Sequence, residues 1–494
     1  MFQSIAMYLT EKLLSNTFTR MVALYLCLVM PVLFVSWYDS EVHFNILSLG
    51  FLRLFLLLCV GYFIAYLSGL CRLFTFERYG HAVLVVAWLF ASIIGMCVFL
   101  FYGLSIPWTD ALFASVSGLT TTGAEVFQDL SLLPRSFLFF RMWLQFIGGL
   151  GIIMMAVIAL GASTGQSKQI DLPGPVVSYS QKKPKLSDMG PYLWFLYIVA
   201  TLVCMVCLKL LGLSWFECIA ESLSIISTGG YALHNAGIAY YHSEGVQIIV
   251  LLFMLFSSFN FLLHYQFFFL RESVGYFKNS ELRCYLSLCV VTVLACVCAN
   301  FISGWVVHWS FLDLVFTIVS LFSSSGFIIK PLTDLPLSFS FLLIIIGLIG
   351  GCSASTSGGI KVIRLQFGFQ EIKQAFQLLI HPRVVQSSPA IQVGLTGSSS
   401  EYQMILLRGF LISYVFFFAL SVLVLLGFGL DFSDAYFAVC ACLSNTGVFY
   451  SANGLTYASL SEAAKLWLVL TMLVGRIEIL AFCVILSPQY WMER

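Results

Sequence analysis

Residues 110–123 read DALFASVSGLTTTG: an acid, a mostly apolar run, a threonine cluster and a glycine. Three more stretches repeat that plan: ECIAESLSIISTGG at 217–230, DLVFTIVSLFSSSG at 313–326 and DAYFAVCACLSNTG at 434–447. The acid-to-glycine step is 13 in every copy (110 to 123, 217 to 230, 313 to 326, 434 to 447). An aromatic residue stands just ahead of each acid, as in Trp108-Thr109, Trp215-Phe216, Trp309-Ser310-Phe311 and Phe432-Ser433. Four copies at one spacing outweigh the plainer reading, in which apolar helices end on Thr-Gly by chance.

Each copy has the form of a reentrant pore hairpin. A helix of about 11 residues, rising 1.5 Å per residue, crosses only half a bilayer. The acid suits the positive end of the helix macrodipole, so the partly negative end faces a cation. The Ser/Thr/Gly run is irregular backbone, tolerated at membrane depth only beside a water-filled or protein-lined cavity. Glycine allows a carbonyl to turn inward, and rings of such carbonyls replace the hydration shell of K⁺ or Na⁺.

Composition sets the class around these hairpins. Of 494 residues, 60% are hydrophobic and 10% charged, which predicts an all-α integral membrane protein with many spans. A net charge of +1 leaves no basic face for nucleic acid. Cys204 and Cys207 form a CxxC inside LVCMVCL, where cysteine serves as a small buried hydrophobe rather than a metal or redox group. No short basic leader with a cleavage site is seen, so the first apolar segment reads as a retained helix.

Apolar spans predict about ten crossings. Residues 1–80 hold a leading pair, Arg20–Trp37 and Phe51–Leu70, without a hairpin between them. Four parallel helix–hairpin–helix repeats follow, at 81–165, 166–275, 276–385 and 386–494. Their inner helices are expected at Ser136–Leu160, Gly245–Leu270, Phe339–Phe376 and Ala463–Leu486. One side carries the basic residues, from Lys12 and Arg20 through Lys182, Lys183 and Lys185 to Lys361, Arg364 and Arg408. The hairpin side has chiefly Arg135, Lys330 and Lys465. The positive-inside rule puts both termini in the cytoplasm and the hairpins outside. The linkers Gly161–Pro191 and Lys373–Glu401 are too small for enzymatic domains; connection and partner docking are equal readings of them.

The third inner helix is interrupted by GGCSASTSGG at 350–359. Four glycines and four Ser/Thr in ten residues do not hold a helix in mid-membrane, so this backbone lines a cavity below the filter and can occlude it. A kink for close helix packing is the alternative. A phosphate loop is rejected, because the spacing is wrong and no strand precedes it. Arg476 lies inside the fourth inner helix, two residues from Glu478. A charge there faces a partner or an aqueous cavity. The readings are a structural Arg476–Glu478 pair, a snorkelling end, or a pore-facing cation barrier to which Lys361 adds, unless Lys361 is a cytoplasmic anchor. Arg141 is expected to pair with an acid near the outer mouth. Asn260 and His264 read as interhelical hydrogen-bond formers, and Gly148–Gly151 as small-residue packing.

With these residues in view, the chain resembles the TrkH-like subunits of bacterial potassium uptake systems, in the Trk/Ktr/HKT superfamily. The resemblance spans nearly the whole chain. It rests on TTTGAEVF, RMWLQFIGGLGI, STGGYALHNAGI, FMLFSSFNFLLHY, GGCSASTSGGIKVIRL and GRIEIL. It implies a pseudo-fourfold pore with one filter glycine per repeat: Gly123, Gly230, Gly326 and Gly447. With them, Thr121, Thr122, Thr228, Gly229, Ser325, Asn445 and Thr446 form the expected K⁺ filter. It implies a mobile gate, with Gly350, Gly351, Ser353, Ser355, Thr356, Gly358, Gly359 and Lys361 as its residues, and Arg476 and Glu478 as the pore charges. It also implies a homodimer in the bacterial inner membrane, and a cytosolic TrkA-type nucleotide-binding subunit. K⁺ is the transported ion; no cofactor and no enzymatic activity are expected. The chain departs from the family pattern in Ser323, Ser324 and Ser325 of the third loop and in SNTGVFYS of the fourth. A Na⁺ or mixed Na⁺/K⁺ transporter, or an H⁺- or Na⁺-coupled K⁺ symporter, therefore stays open. An intramembrane enzyme built on buried Ser, His or Cys lacks any motif around His264.

Overall fold

The computed structural model describes residues 28–37, 50, 52–53, 55–56, 76–163, 186–271, 273–303, 309–334, 337–381, 399–451 and 453–492. Among them there are helices and loops but no strand. The helices are α1 (Leu28–Trp37), α2 (Phe76–Phe101), α3 (Trp108–Leu119), α4 (Arg135–Ser163), α5 (Leu186–Leu210) and α6 (Trp215–Ile226). Then follow α7 (Glu244–Ser258), α8 (Phe261–Phe268), α9 (Ser280–Ser303), α10 (Phe311–Phe322), α11 (Leu337–Gly347) and α12 (Val362–Ile380). The last long ones are α13 (Ser399–Gly427), α14 (Phe432–Leu443), α15 (Glu462–Ile477) and α16 (Ile479–Leu486), besides two short helices at Ser273–Lys278 and Pro488–Met492.

The four hairpins hold α3, α6, α10 and α14, each 12 residues long. Their N-termini show why the acids are there. Ser214 with Glu217, and Ser310 with Asp313, form capping boxes that satisfy orphan amides at both ends of the exchange. The acids are also paired: Lys465 Nζ lies 2.7 Å from Asp110, Lys330 Nζ lies 2.8 Å from Asp313, and His234 Nε2 lies 3.5 Å from Glu217. All three basic residues on the hairpin side that do this follow a filter loop. The Lys465–Asp110 pair joins the fourth repeat to the first.

Outer helices α2, α5, α9 and α13 flank their own pore helices, and the inner helices pack on the other side. Lipid is as apolar as leucine, so close backbone approach and polar contacts hold the bundle together more than water exclusion does. Gly148 shows the approach: a Cβ on it would run into the carbonyl of Leu119. Gly475 of the fourth repeat bears the same relation to Leu443. Outward faces keep large apolar side chains exposed, Ile412, Val415, Phe416 and Leu423 on α13 among them. Such a surface suits a lipid solvent. Among the described residues five helices are long and apolar enough to cross a membrane, and two bent pairs raise that to seven. The chain is a multi-pass membrane protein.

Two expected inner helices are not continuous. The second breaks at Phe259-Asn260, with 95° between α7 and α8. Asn260 caps α8, accepting from Leu262 N at 2.9 Å, and Phe261 N donates to Ala354 in the intramembrane loop at 3.0 Å. The loop supplies the hydrogen bonds that let the helix break. The fourth breaks at Glu478, with 105° between α15 and α16. Glu478 has φ +74° there, a backbone region that L residues seldom occupy. The third inner helix breaks as expected, over residues 348–361. Only α1 of the leading pair is described as an element, and most of both linkers lies outside the described residues.

Candidate ion filter and intramembrane loop

Each pore helix ends in the same backbone turn. Thr121, Thr228, Ser324 and Asn445 are left-handed, with φ +52°, +53°, +52° and +56°. The glycines two residues on have φ +73°, +81°, +74° and +67°. Between them the amide of each loop folds back on the last turn of its own helix. Thr122 N donates to Ser117 O at 2.9 Å, Gly229 N to Ser224 O at 2.9 Å, Ser325 N to Ser320 O at 2.9 Å and Thr446 N to Ala441 O at 3.0 Å. With the amides spent inward, the carbonyls of these residues are left to face the neighbouring repeat.

The glycines show how the four loops meet. A Cβ on Gly123 would strike the carbonyl oxygen of Gly229. On Gly230 it would strike Ser325 O, on Gly326 it would strike Thr446 O, and on Gly447 it would strike Thr122 O. The contacts run from the first repeat to the second, third and fourth and back to the first. They close a ring, so the four parallel repeats stand in pseudo-fourfold order about one axis. Every glycine is required twice, for its positive φ and for the carbonyl packed against it.

Side chains behind the ring fix it. Gln145 of α4 donates to Gly229 O at 2.6 Å and accepts from Ser224 Oγ at 2.8 Å. Asn445 Nδ2 reaches Thr122 Oγ1 and Met472 O, both at 3.0 Å, and so ties the fourth loop to the first. Arg141, buried, pairs with Glu125 just beyond the first filter loop and lies over the Tyr231 ring at 4.2 Å. The pairing of Arg141 with an acid is as expected. Beyond the filter loops, Asn235 bridges to the first repeat, donating to Asp129 at 2.9 Å and accepting from Leu130 N at 2.8 Å. Hydrogen bonds from Ser131 and Asn235 hold the Asp129 carboxyl below the usual range.

Below the ring sits the loop over 350–359. Gly350 and Gly359 have φ +75° and +77° and lie against each other, so the segment leaves and returns at one point. Ile360 N to Leu348 O at 2.9 Å and Lys361 N to Ile349 O at 2.7 Å stitch its base. Its tip touches the filter turns: Gly358 N donates to Ser324 Oγ at 2.5 Å, and Thr228 Oγ1 lies 3.2 Å from Thr356 Oγ1. Gly358 is also close enough to Ser444 that a Cβ would strike that carbonyl.

The charges around the loop are placed differently from one of the expectations. Glu478 does not pair with Arg476; it accepts from Arg364 of α12 at 2.7 Å. Glu478 sits at the 105° break, where the helix ends, and Arg364 reaches it from the other broken inner helix. Arg476 instead donates to Thr356 O in the loop at 2.9 Å. Lys361 Nζ donates to Ser357 O, at the end of the loop. Asn260 donates to Ser353 at 3.3 Å, and His264 Nε2 lies 3.0 Å from Phe256 O. Both are hydrogen-bond formers, as expected, though their contacts serve the helix break and the loop.

An ion pair that clamps two broken helices predicts coupling. Arg364→Met and Glu478→Gln are each expected to lower the thermal midpoint of the purified protein, and the double variant to lie no lower than the worse single one. The partly buried pair should carry a coupling of about 1–3 kcal/mol. Strictly additive midpoints would show that the contact carries no such energy.

Sequence reasoning missed Ser324, Gln145, Glu125 and Arg364. The 13-residue spacing marks Ser324 as the match of Thr121, Thr228 and Asn445, and Gln145 lies inside the quoted RMWLQFIGGLGI. Glu125 and Arg364 lie inside the quoted TTTGAEVF and GGCSASTSGGIKVIRL as well, but their partners, Arg141 and Glu478, are supplied by tertiary contacts that the motifs do not name. Among the described residues no cluster of three or more His, Cys, Asp or Glu is placed to hold a metal.

A single chain that closes four half-membrane helices and their loops into one ring is a four-repeat pore protein of the membrane. A family model, TrkH, described as a cation transport protein, matches residues 77–493. The Trk system potassium uptake protein TrkH of Vibrio parahaemolyticus is 34% identical over 431 residues, covering 84% of this chain and 86% of that one. The Trk system potassium uptake protein TrkG of Escherichia coli K12 is 30% identical over 477 residues, covering 95% and 96%. The crystal structure of the potassium transporter TrkH from Vibrio parahaemolyticus superposes with a TM-score of 0.77 at 29% identity, covering 94% of this chain and 99% of that one. The chain belongs to the TrkH cation transport family.

Proposed function

We propose that this protein takes up K⁺ across the cytoplasmic membrane through the ring of carbonyls at its centre. The observation that carries this is the closed cycle of glycine-to-carbonyl contacts, which brings four sets of backbone oxygens to one axis. Carbonyl rings of that kind substitute for the hydration shell of a monovalent cation. The names of the relatives support K⁺ as the cargo. On this reading the filter residues are Thr121, Thr122, Gly123, Thr228, Gly229, Gly230, Ser325, Gly326, Asn445, Thr446 and Gly447, to which Ser324 is added. The 350–359 loop is the gate, and Arg476 steadies it from below while opposing cations electrostatically. The repeats divide at 81–165, 166–275, 276–385 and 386–494. The membrane potential drives uptake, at about 2.3 kcal/mol per charge per 100 mV.

The partners on this reading are a second copy, membrane lipid and a cytosolic TrkA-type nucleotide-binding subunit. The relatives' designation as parts of a Trk system supports partner components. The bias of basic residues supports an inner-membrane setting with cytoplasmic termini. The test is rescue of a bacterium lacking potassium uptake at low external K⁺, with Rb⁺ and Na⁺ tracer flux on the same protein. Growth with Rb⁺ entry in excess of Na⁺ is expected. Na⁺ entry without rescue would move the protein to a sodium transporter, and flux of neither ion, with the cytosolic subunit supplied, would end the pore reading.

A further inference from the structure

Glu281 stands in the first turn of α9, with 2% of its surface exposed. Both of its carboxylate oxygens are taken by one residue of the intramembrane loop. Ser353 N donates to Oε1 at 2.5 Å and Ser353 Oγ donates to Oε2 at 2.7 Å. Asn260 Nδ2 approaches the same hydroxyl at 3.3 Å. Burying a carboxylate is costly unless it is paired or well hydrogen-bonded, so this one has a specific employment.

The loop has a heel and a tip. At the heel, Cys352 N donates to Ser258 O at 3.0 Å, and Ala354 O accepts from Phe261 N at 3.0 Å. Those bonds tie one side of residues 352–354 to the broken second inner helix. Glu281 holds the other side, from the outer helix of the third repeat. The tip, Thr356 to Gly358, rests on Thr228 and Ser324 beneath the filter. Ala354, where the heel ends, is left-handed with φ +51°, so the chain turns towards the tip directly after the residue that Glu281 grips.

We propose that Glu281 is a positioning residue for transport: by gripping Ser353 at two points it keeps the tip of the loop under the filter. This rests on the loop being the gate. Charge-assisted hydrogen bonds are about twice as strong as neutral ones, so the grip is weakened by removing the charge and lost by removing the side chain.

The experiment is Rb⁺ and Na⁺ tracer flux into proteoliposomes holding the full-length protein. Glu281→Ala is expected to raise Rb⁺ flux about tenfold, the change in open-to-closed ratio that one such hydrogen bond supplies. Glu281→Gln and Ser353→Ala should give smaller rises in the same direction, with the Rb⁺/Na⁺ ratio unchanged in all three. The Glu281→Ala, Ser353→Ala double variant should rise no further than Glu281→Ala alone. A merely structural role would lower flux or blur the ratio instead. Should Glu281→Ala not fold, the two milder variants decide. Flux unchanged or lowered in the folded variants, while excision of Ser353–Ser357 raises it, would overturn the role of Glu281 and leave the gate. No response to the excision would overturn both.

Discussion

Gly123→Ser is expected to remove selective uptake: Rb⁺ flux at least about tenfold lower, or a Rb⁺/Na⁺ ratio near one, since tenfold discrimination is only about 1.4 kcal/mol. The residue needs φ +73°, where an L side chain costs roughly 1–2 kcal/mol. The larger effect is steric. The new Cβ would meet the Gly229 carbonyl, and that oxygen has no room to retreat, since Gln145 holds it at 2.6 Å and fills the space beside Gly229. The ring of carbonyls must then open at the junction of the first two repeats. The same substitution at Gly447 should act alike at the junction of the fourth and first repeats. Gly212→Ser is the control, because Gly212 has φ +95° but nothing within 4 Å of a Cβ. It introduces backbone strain without obstruction and should leave the ion ratio intact. Wild-type selectivity in Gly123→Ser would rule out a filter at that glycine.

Excision of Ser353–Ser357 is expected to give an open pore, with Rb⁺ flux at least about tenfold above the parent protein, the cost of one charge-assisted hydrogen bond to the closed state. The deletion removes the Thr356 contacts to Thr228 and Arg476. It is tolerable for the fold. Gly350 and Gly359 already touch, and the bonds from Ile360 and Lys361 to Leu348 and Ile349 lie outside the excised segment. The filter is untouched, so the Rb⁺/Na⁺ ratio should hold while the rate rises. Flux that stays at the parent level would show that the loop does not limit passage.

The hairpins were legible because their chemistry is local. An acid in the first turn, twelve helical residues, a left-handed residue and a glycine follow one another along the chain, and a fixed step of 13 repeats them. The interruption at 350–359 was legible for the same reason: glycine and serine in that density do not hold a helix in lipid. The breaks in the second and fourth inner helices were not legible. FSSFNFLL and GRIEIL carry no proline or glycine pair at the break, and each break is met by a contact from a distant element. Ala354 O accepts from Phe261 N at the first, and Arg364 pairs with the Glu478 carboxylate at the second.

The sequence by itself determined the class, the number of pore repeats, their common orientation and the position of the loop, since each follows from hydropathy, charge and spacing along one chain. Only the tertiary structure decided that the four glycines close into a ring, that Arg476 serves the loop rather than Glu478, and that Glu281 holds Ser353. Those contacts join residues 72 to more than 300 positions apart. Pairings at that range are fixed by the packing of helices against one another, which no local propensity records.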